Sequence, residues 1–450
     1  MAVRSAKTGF MRYLFLAAAL IAAPAAAQSD PASDVSEERL RADVEALVGF
    51  GTRHTLSSQD HPDRGIGAAL RWADRRFWAI SESCGGCLII AQPERMVSGE
   101  RIPTPTRLVN VIAIQRGSER PDEVVIVQGH IDSRVSNVMD ATSDAPGAND
   151  DGSGTALVIE AARVLSQQRY PTTIVYALLS GEEQGLYGGK LLADYAEEQG
   201  WTIKAVLNND IVGGSCGSDG YCDAAHVRVF SEGVRGDATK GTLAAMARNG
   251  GENDSPSRNL SRFIVGLSEG GDLAVRQIWR TDRMGRGGDQ RPFLDKGYPA
   301  VRFSVAVEDY DHQHQDLRVE NGVTYGDTID EMDFPYLAKV TRLNVRAIAG
   351  LVKAPMPPAP VAEAAVQTFT TLRWNAVTGA AAYNVWRRRT DAPGWDAWPV
   401  VARTGLTEIK LEGIRGDDWL FGVSSVAADG VESPIASAVP GGAFAPLVSD

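Results

Sequence analysis

From residue 108 onward the chain alternates two rhythms, and that alternation restricts its fold more than any other feature. LVNVIAIQ, VVIVQG, TTIVYALLS, AVLNND and AVRFSVAV are short β-branched runs, and helical spacings of apolar residues at 154–168 and 186–199 separate them. β-branched side chains suit a pleated, buried surface. Strands alternating with helices argue for a largely parallel sheet, with the helices laid over it. The expected fold class is therefore α/β, a mostly parallel mixed sheet sandwiched by helices. Two further helical patterns, at 36–50 and 66–82, are expected to cover one face of it.

Such sheets place their sites where loops leave the carboxyl ends of strands. The polar residues of this chain fall there. VVIVQG runs into His130 and Asp132, TTIVYALLS into Glu182 and Glu183, and AVLNN into Asp210.

With 450 residues the chain exceeds what one core usually organises. A large α/β domain is expected over residues 28–354. APMPPAP, from residue 354, cannot continue the helix predicted near 333–352 and reads as a linker. Residues 355–450 read as this linker and a small β-sandwich: Trp374, the alternating YNVWRRR run and FGVSSVAADGVES resemble a fibronectin type III module.

Residues 1–27 have the pattern of a cleavable signal peptide. Arg4, Lys7 and Arg12 precede an apolar run from Tyr13 to Ala23, and Ala25, Ala26 and Ala27 follow as a small-residue cleavage site. The apolar run is shorter than the roughly 20 residues a spanning helix needs. Export to a periplasmic or extracellular compartment is expected, with no membrane association after cleavage. In such a compartment Cys84 with Cys87, and Cys216 with Cys222, are expected to form local disulfides. The 45 basic against 57 acidic residues give a net charge of −12, which disfavours nucleic acid and anionic lipid as partners.

The candidate chemistry lies in five short segments. GHIDS sets His130 at the end of a buried strand and Asp132 two residues on, on the same side of an extended chain, as a ligand and its orienting partner would be. GANDDGSG couples a turn to a helix start and can aim Asp150 into a cleft, although Asp151 or Ser153 could equally serve as the helix cap. SGEEQG places Glu182 and Glu183 side by side, where the two carboxylates repel unless a cation separates their roles. One can bind metal while the other accepts a proton from water. NNDIVGG adds Asp210, and YDHQHQD adds His312, His314 and Asp316. In chain order these loops offer His, Asp, Glu, Asp and His, a nitrogen and oxygen donor set suited to zinc.

On these signatures, GHxDS, GAND-x-x-SG, EE-x-GL-x-G, N-x-D and H-x-x-x-D, the segment from about 108 to 316 resembles the co-catalytic di-zinc aminopeptidases with a phosphorylase-like α/β fold. The resemblance implies a hydrolase acting on peptides with a free N-terminus and using two zinc ions per chain. It implies that His130 and Asp210 hold one ion, Glu183 and His312 the other, and that Asp150 bridges them. His312 is selected because it stands four residues before Asp316. The resemblance further implies that Asp132 orients His130, that Glu182 is the general acid and base, and that the peptide bond between Asp150 and Asp151 is cis. Gln290 departs from the family, whose members often carry histidine there.

Two other functions share the scaffold. Glutaminyl cyclases resemble it and use one zinc ion. An inert cleft with a binding C-terminal module is the other, for which Trp395 and Trp398 are better surface candidates than Trp374. Arg291 and Arg302 are the candidates for a carboxylate clamp, which carboxypeptidase polarity would need.

Overall fold

The computed structural model describes Met1 and residues 30–447. The signal-peptide expectation therefore lies outside the described residues. The chain divides into Met1–Asp30 and Pro31–Asp450, and all that follows concerns the second unit.

Its centre is an eight-stranded sheet in the spatial order Ile89–Ala91, Val111–Gln115, Thr172–Leu179, Arg120–His130, Thr202–Asn209, Ala300–Val305, His226–Phe230 and Ala274–Ile278. The four middle strands are mutually parallel. Antiparallel pairings flank them on both sides. The expected class is thus present: a mixed, mostly parallel sheet between helices.

The period-two alternation of the central strand shows why both faces are covered. Val125 and Val127 enter one core together with the helices Glu37–Val48, Ile66–Ser83, Gly152–Leu165 and Phe334–Lys353. Val124 and Ile126 point the other way, into a smaller core closed by Tyr187–Glu198 and Arg291–Asp295. A strand buried on both faces has no polar positions to spare, which is why these runs read as continuous apolar stretches.

Helix boundaries follow the sequence pattern to within a few residues. The run LVNVIAIQ, expected as one strand, is divided at Asn110. Its side chain donates to the Gly188 carbonyl at 2.9 Å and accepts the Ser180 N–H at 3.1 Å. Val111–Gln115 stays in the sheet, while Ile102–Val109 turns away to pair with Glu94–Gly99 as an outlying hairpin.

The helix Phe334–Lys353 stops before the proline-rich segment, as expected. Beyond it lie antiparallel sheets of three and four strands that share a core containing Leu372, Trp374, Tyr383, Val385 and Phe421. Trp374 is 6% exposed and meets the Tyr383 ring edge-on, so it belongs to this core, whereas Trp398 is 81% exposed. Arg388, from these strands, donates to Asp254 at 2.6 Å with both side chains buried. Both expected disulfides, Cys84–Cys87 and Cys216–Cys222, are formed. Among the described residues no helix is long and apolar enough to cross a membrane.

Candidate metal centre

Each of the four parallel strands delivers a donor as it ends. His130 closes the central strand and lies opposite Leu179, after which the chain turns through Gly181 to Glu182 and Glu183. On the other side Asn209 lies opposite Phe303, so Asp210 leaves the sheet at the same level. The loop after Val305 returns with the histidines of the DHQHQD segment. The order of strands reverses at the end of Arg120–His130, since the chain proceeds first to one neighbour and then to the other. A crevice opens at such a point.

Asp150 arrives from the turn before the helix Gly152–Leu165, and the neighbouring Asp151 is the cap of that helix. Asp151 Oδ1 accepts the Gly154 N–H at 2.9 Å and the Ile211 N–H at 3.2 Å, while Oδ2 accepts the His130 N–H at 3.0 Å. A side chain on Gly154 would strike the Asn209 carbonyl, its added Cβ lying 2.2 Å away, so only glycine lets the helix start reach the strand end. The Asp150–Asp151 peptide is cis. Asp327, which stands in no motif, accepts the Asn149 and Asp150 N–H groups at 2.8 and 2.7 Å and fixes the turn.

The two oxygens of Asp150 face different groups. Oδ1 lies 3.1 Å from His130 Nε2, which is 3.8 Å from Asp210 Oδ1. Oδ2 lies 2.9 Å from His314 Nε2, which is 2.9 Å from Glu183 Oε1. The result is two clusters of three donors, His130–Asp150–Asp210 and Asp150–Glu183–His314.

His314, not His312, completes the second cluster, and the expectation for His312 is corrected accordingly. His314 adopts a left-handed backbone conformation, φ 57°, that turns its ring inward. The ring of His312 instead lies 3.1 Å from Glu331 and 3.9 Å from Asp309, in a separate group. Four-residue spacing from Asp316 therefore misled, because a local backbone reversal decides which of two alternate histidines faces the cleft.

Asp132 lies under this centre, but its contacts are divided. Its backbone carbonyl is 3.1 Å from His130 Nδ1 and its carboxylate 3.6 Å away. The carboxylate accepts the N–H groups of Glu182 at 3.3 Å and Glu183 at 3.2 Å, and the Thr55 hydroxyl at 3.2 Å. One residue thus orients the imidazole of the first cluster and the backbone that presents both glutamates. Among the described residues the Glu182 carboxylate makes no hydrogen bond or ion pair, which leaves it available.

Two arginines brace acids of the two clusters. Arg134 donates to Glu183 Oε2 at 2.8 Å, and its Nη2 lies 2.6 Å from His314 Nδ1. Arg302 is fully buried, 2.8 Å from Asp210 and 3.3 Å from Asp282. The clamp considered for Arg302 is therefore ruled out, since its guanidinium is engaged by two carboxylates. Gln290 donates to Asp282 at 2.6 Å and so supports the same pair. Arg134 carries no spacing or compositional signal. Its place beyond the strand end, two residues after Asp132, was the one available hint.

The electrostatics state what the centre demands. Burial opposes charge on His130, yet hydrogen bonds to Asp132, Asp150 and Asp210 overcome it and raise its pKa well above the ordinary value. Burial likewise opposes charge on His314, and Glu183 and Asp150 lift it to about 9. Against the cost of burial, His314 and Arg134 lower Glu183 to about 2. Glu182 goes the opposite way, well above the carboxylate range, through burial and the repulsion of Glu183, Asp210 and Asp289 against the pull of His130. The acids thus call for positive charge between them. Imidazoles that can yield their protons to a cation, and carboxylates converging with them on shared points, suit divalent zinc, so the residues present fit the ion.

Residues 110–331 match peptidase family M28. A probable zinc metalloprotease of Leptosphaeria maculans is 42% identical over 416 residues, which cover 91% of this chain and 96% of that protein. The chain belongs to peptidase family M28. A second relative, a probable zinc metalloprotease of Pyricularia oryzae, is 41% identical over 424 residues, covering 91% of this chain and 83% of its own. The M28 fold extends to the LapA aminopeptidase of Legionella pneumophila, with a TM-score of 0.53 at 16% identity over 72% of this chain and 74% of that one. LapB from the same organism has a TM-score of 0.52 at 17% identity, with the same coverages. The protein is thus a member of a zinc metallopeptidase family, with peptides as its substrates.

Proposed function

We propose that this chain is an exported aminopeptidase that removes N-terminal residues from peptides with two zinc ions. His130 and Asp210 would hold one ion, Glu183 and His314 the other, and Asp150 would bridge them. The single observation that carries this is the division of Asp150, one oxygen in each donor cluster. Bound there, zinc supplies Lewis acidity toward the scissile carbonyl and acidifies water.

The remaining steps belong to side chains. Glu182 takes the proton from the attacking water and gives it to the departing amine. Its raised pKa, caused by burial among acids, suits a group that must hold that proton between the two steps. Asp132 keeps the His130 ring and the Glu182 backbone in place. The acidic surroundings favour a substrate's ammonium end, and the engagement of Arg302 by Asp210 and Asp282 removes one route to a buried carboxylate clamp. Export accords with the two disulfides, which persist in oxidising compartments. We read residues 355–450 as a linker and a fibronectin type III-like sandwich, supported by the paired antiparallel sheets around Trp374 and Tyr383.

Metal analysis of the purified chain, run beside hydrolysis of free and amino-blocked aminoacyl amides, tests the proposal. Two zinc ions per chain and activity confined to free amines are expected. One ion per chain would point to cyclase chemistry, and equal cleavage of blocked substrates would overturn the aminopeptidase assignment.

A further inference from the structure

The loop that runs from Thr281 to Arg291 lines a pocket of ≈ 630 Å³ whose charge is opposite to that of the metal centre beside it. Three arginines, Arg283, Arg286 and Arg291, contribute to its wall.

The pocket borders the centre in two places. Arg286 Nη1 lies 3.5 Å from Gln313 Oε1, and Gln313 donates to Asp150 Oδ2 at 3.1 Å. The Gly287 carbonyl accepts from Arg302 Nη1 at 3.1 Å, and Arg302 Nη2 lies 2.8 Å from Asp210. A single side chain therefore separates the pocket wall from each of two acids of the centre.

Its positive charge is not fully answered. Glu308 serves Arg228, Arg283 and Arg286 at 2.6, 3.2 and 2.9 Å. Asp282 serves Arg283 and Arg302 at 3.2 and 3.3 Å. Two carboxylates thus stand against four guanidiniums, one of which also meets Asp210. Arg291, exposed at the pocket, makes no ion pair among the described residues. In a chain of net charge −12, this surplus is local.

We infer that the pocket is a carboxylate-binding subsite, so that the enzyme prefers peptides carrying an acidic group close to the scissile bond. The inference rests on the peptidase assignment made above. Guanidinium forks match carboxylates with two parallel hydrogen bonds. The carboxylate comes either from an Asp or Glu side chain or from a peptide's own C-terminus.

The test compares kcat/KM of the zinc-loaded enzyme on two substrate pairs. Ala-Glu-NH2 against Ala-Gln-NH2 isolates a side-chain carboxylate, and Ala-Gly against Ala-Gly-NH2 a terminal one. The acidic member of one pair is expected to be favoured about tenfold or more, through KM, as a charge-assisted contact allows. The pair that shows the preference identifies the source. In Arg291→Gln the acidic-to-neutral ratio should fall, and in the Arg286→Gln/Arg291→Gln double variant it should approach one. Ratios within twofold in the wild type, or a preference that survives both substitutions, overturn the inference while the peptidase assignment stands. Should neither pair be cleaved, the peptidase assignment fails instead. Calorimetric binding of Ala-Glu-NH2 against Ala-Gln-NH2, and of Ala-Gly against Ala-Gly-NH2, to the same protein then decides the subsite, and equal binding within both pairs rejects it.

Discussion

Asp151 accepts the backbone N–H of His130 at 3.0 Å with one carboxylate oxygen, and with the other caps the helix that follows it. The end of the central strand and the start of the helix Gly152–Leu165 are thereby held by one side chain. Asp150 has no capping duty and can face both histidines.

The first prediction separates these neighbours. Asp151→Ala removes a helix cap and strands buried N–H groups of His130 and Ile211, which should cost on the order of 3 kcal/mol. Asp151→Asn should cost less than the alanine change, because its amide oxygen still accepts the Gly154 and Ile211 N–H groups, while the NH2 that replaces Oδ2 faces the His130 N–H and leaves it unpaired. Asp150→Ala should leave the helix cap intact yet abolish tight zinc binding. Parallel denaturant melts and zinc analysis of the three variants would check this, and equal zinc loss in all three would refute the division of labour.

His314→Ala is expected to lose at least one zinc ion and most activity, whereas His312→Ala should keep both. The difference follows from position: His314 Nε2 lies 2.9 Å from both Asp150 and Glu183, while His312 faces Glu331. Zinc content per chain after dialysis gives a readout apart from turnover.

The residues that make the fold and most of the centre were legible because strand ends are legible. A buried parallel strand must be apolar, so the first polar residues after it mark the sheet edge, and His130, Glu183 and Asp210 all follow such runs. The strands His226–Phe230 and Ala274–Ile278 were not anticipated. Toward one edge of the sheet, half-exposed residues such as His226, Arg228 and Arg276 interrupt the apolar signal. The choice between His312 and His314 depended on a left-handed residue, which spacing does not encode. Arg134 and Asp327 act through contacts across about 49 and 177 positions of chain, and only tertiary structure brings such partners together.

Glu182→Gln should reduce kcat by about two to four orders of magnitude with zinc content unchanged, since a positioned acid and base contributes that much. Among the described residues the Glu182 carboxylate makes no hydrogen bond or ion pair that the amide would break. Glu183→Gln, by contrast, loses a donor and the charge that pairs with Arg134 at 2.8 Å, so it should lose zinc as well as rate. Turnover and zinc content measured on the same preparations distinguish the two glutamates, and a Glu182→Gln enzyme with wild-type kcat would remove Glu182 from the mechanism.

The last prediction concerns stability away from the centre. Glu232 is 5% exposed, and burial raises its carboxyl from the ordinary 4.5 to about 8, with Arg235 pulling it down and Asp237 pushing it up. Between those two values the folded chain holds a proton that the unfolded chain has released, so the native state binds more protons and its stability falls as pH rises. The loss begins above the unfolded value and is complete once pH passes the folded one. At ~1.4 kcal/mol per pKa unit, the full window is worth roughly 5 kcal/mol. Glu232→Gln keeps an oxygen that can accept the Gly236 N–H and removes the proton equilibrium. Denaturant unfolding should therefore show the variant and the wild type nearly equal at pH 5, and the variant more stable by several kcal/mol at pH 8. A difference that stays constant between the two pH values would mean that Glu232 ionises in the fold at its ordinary value.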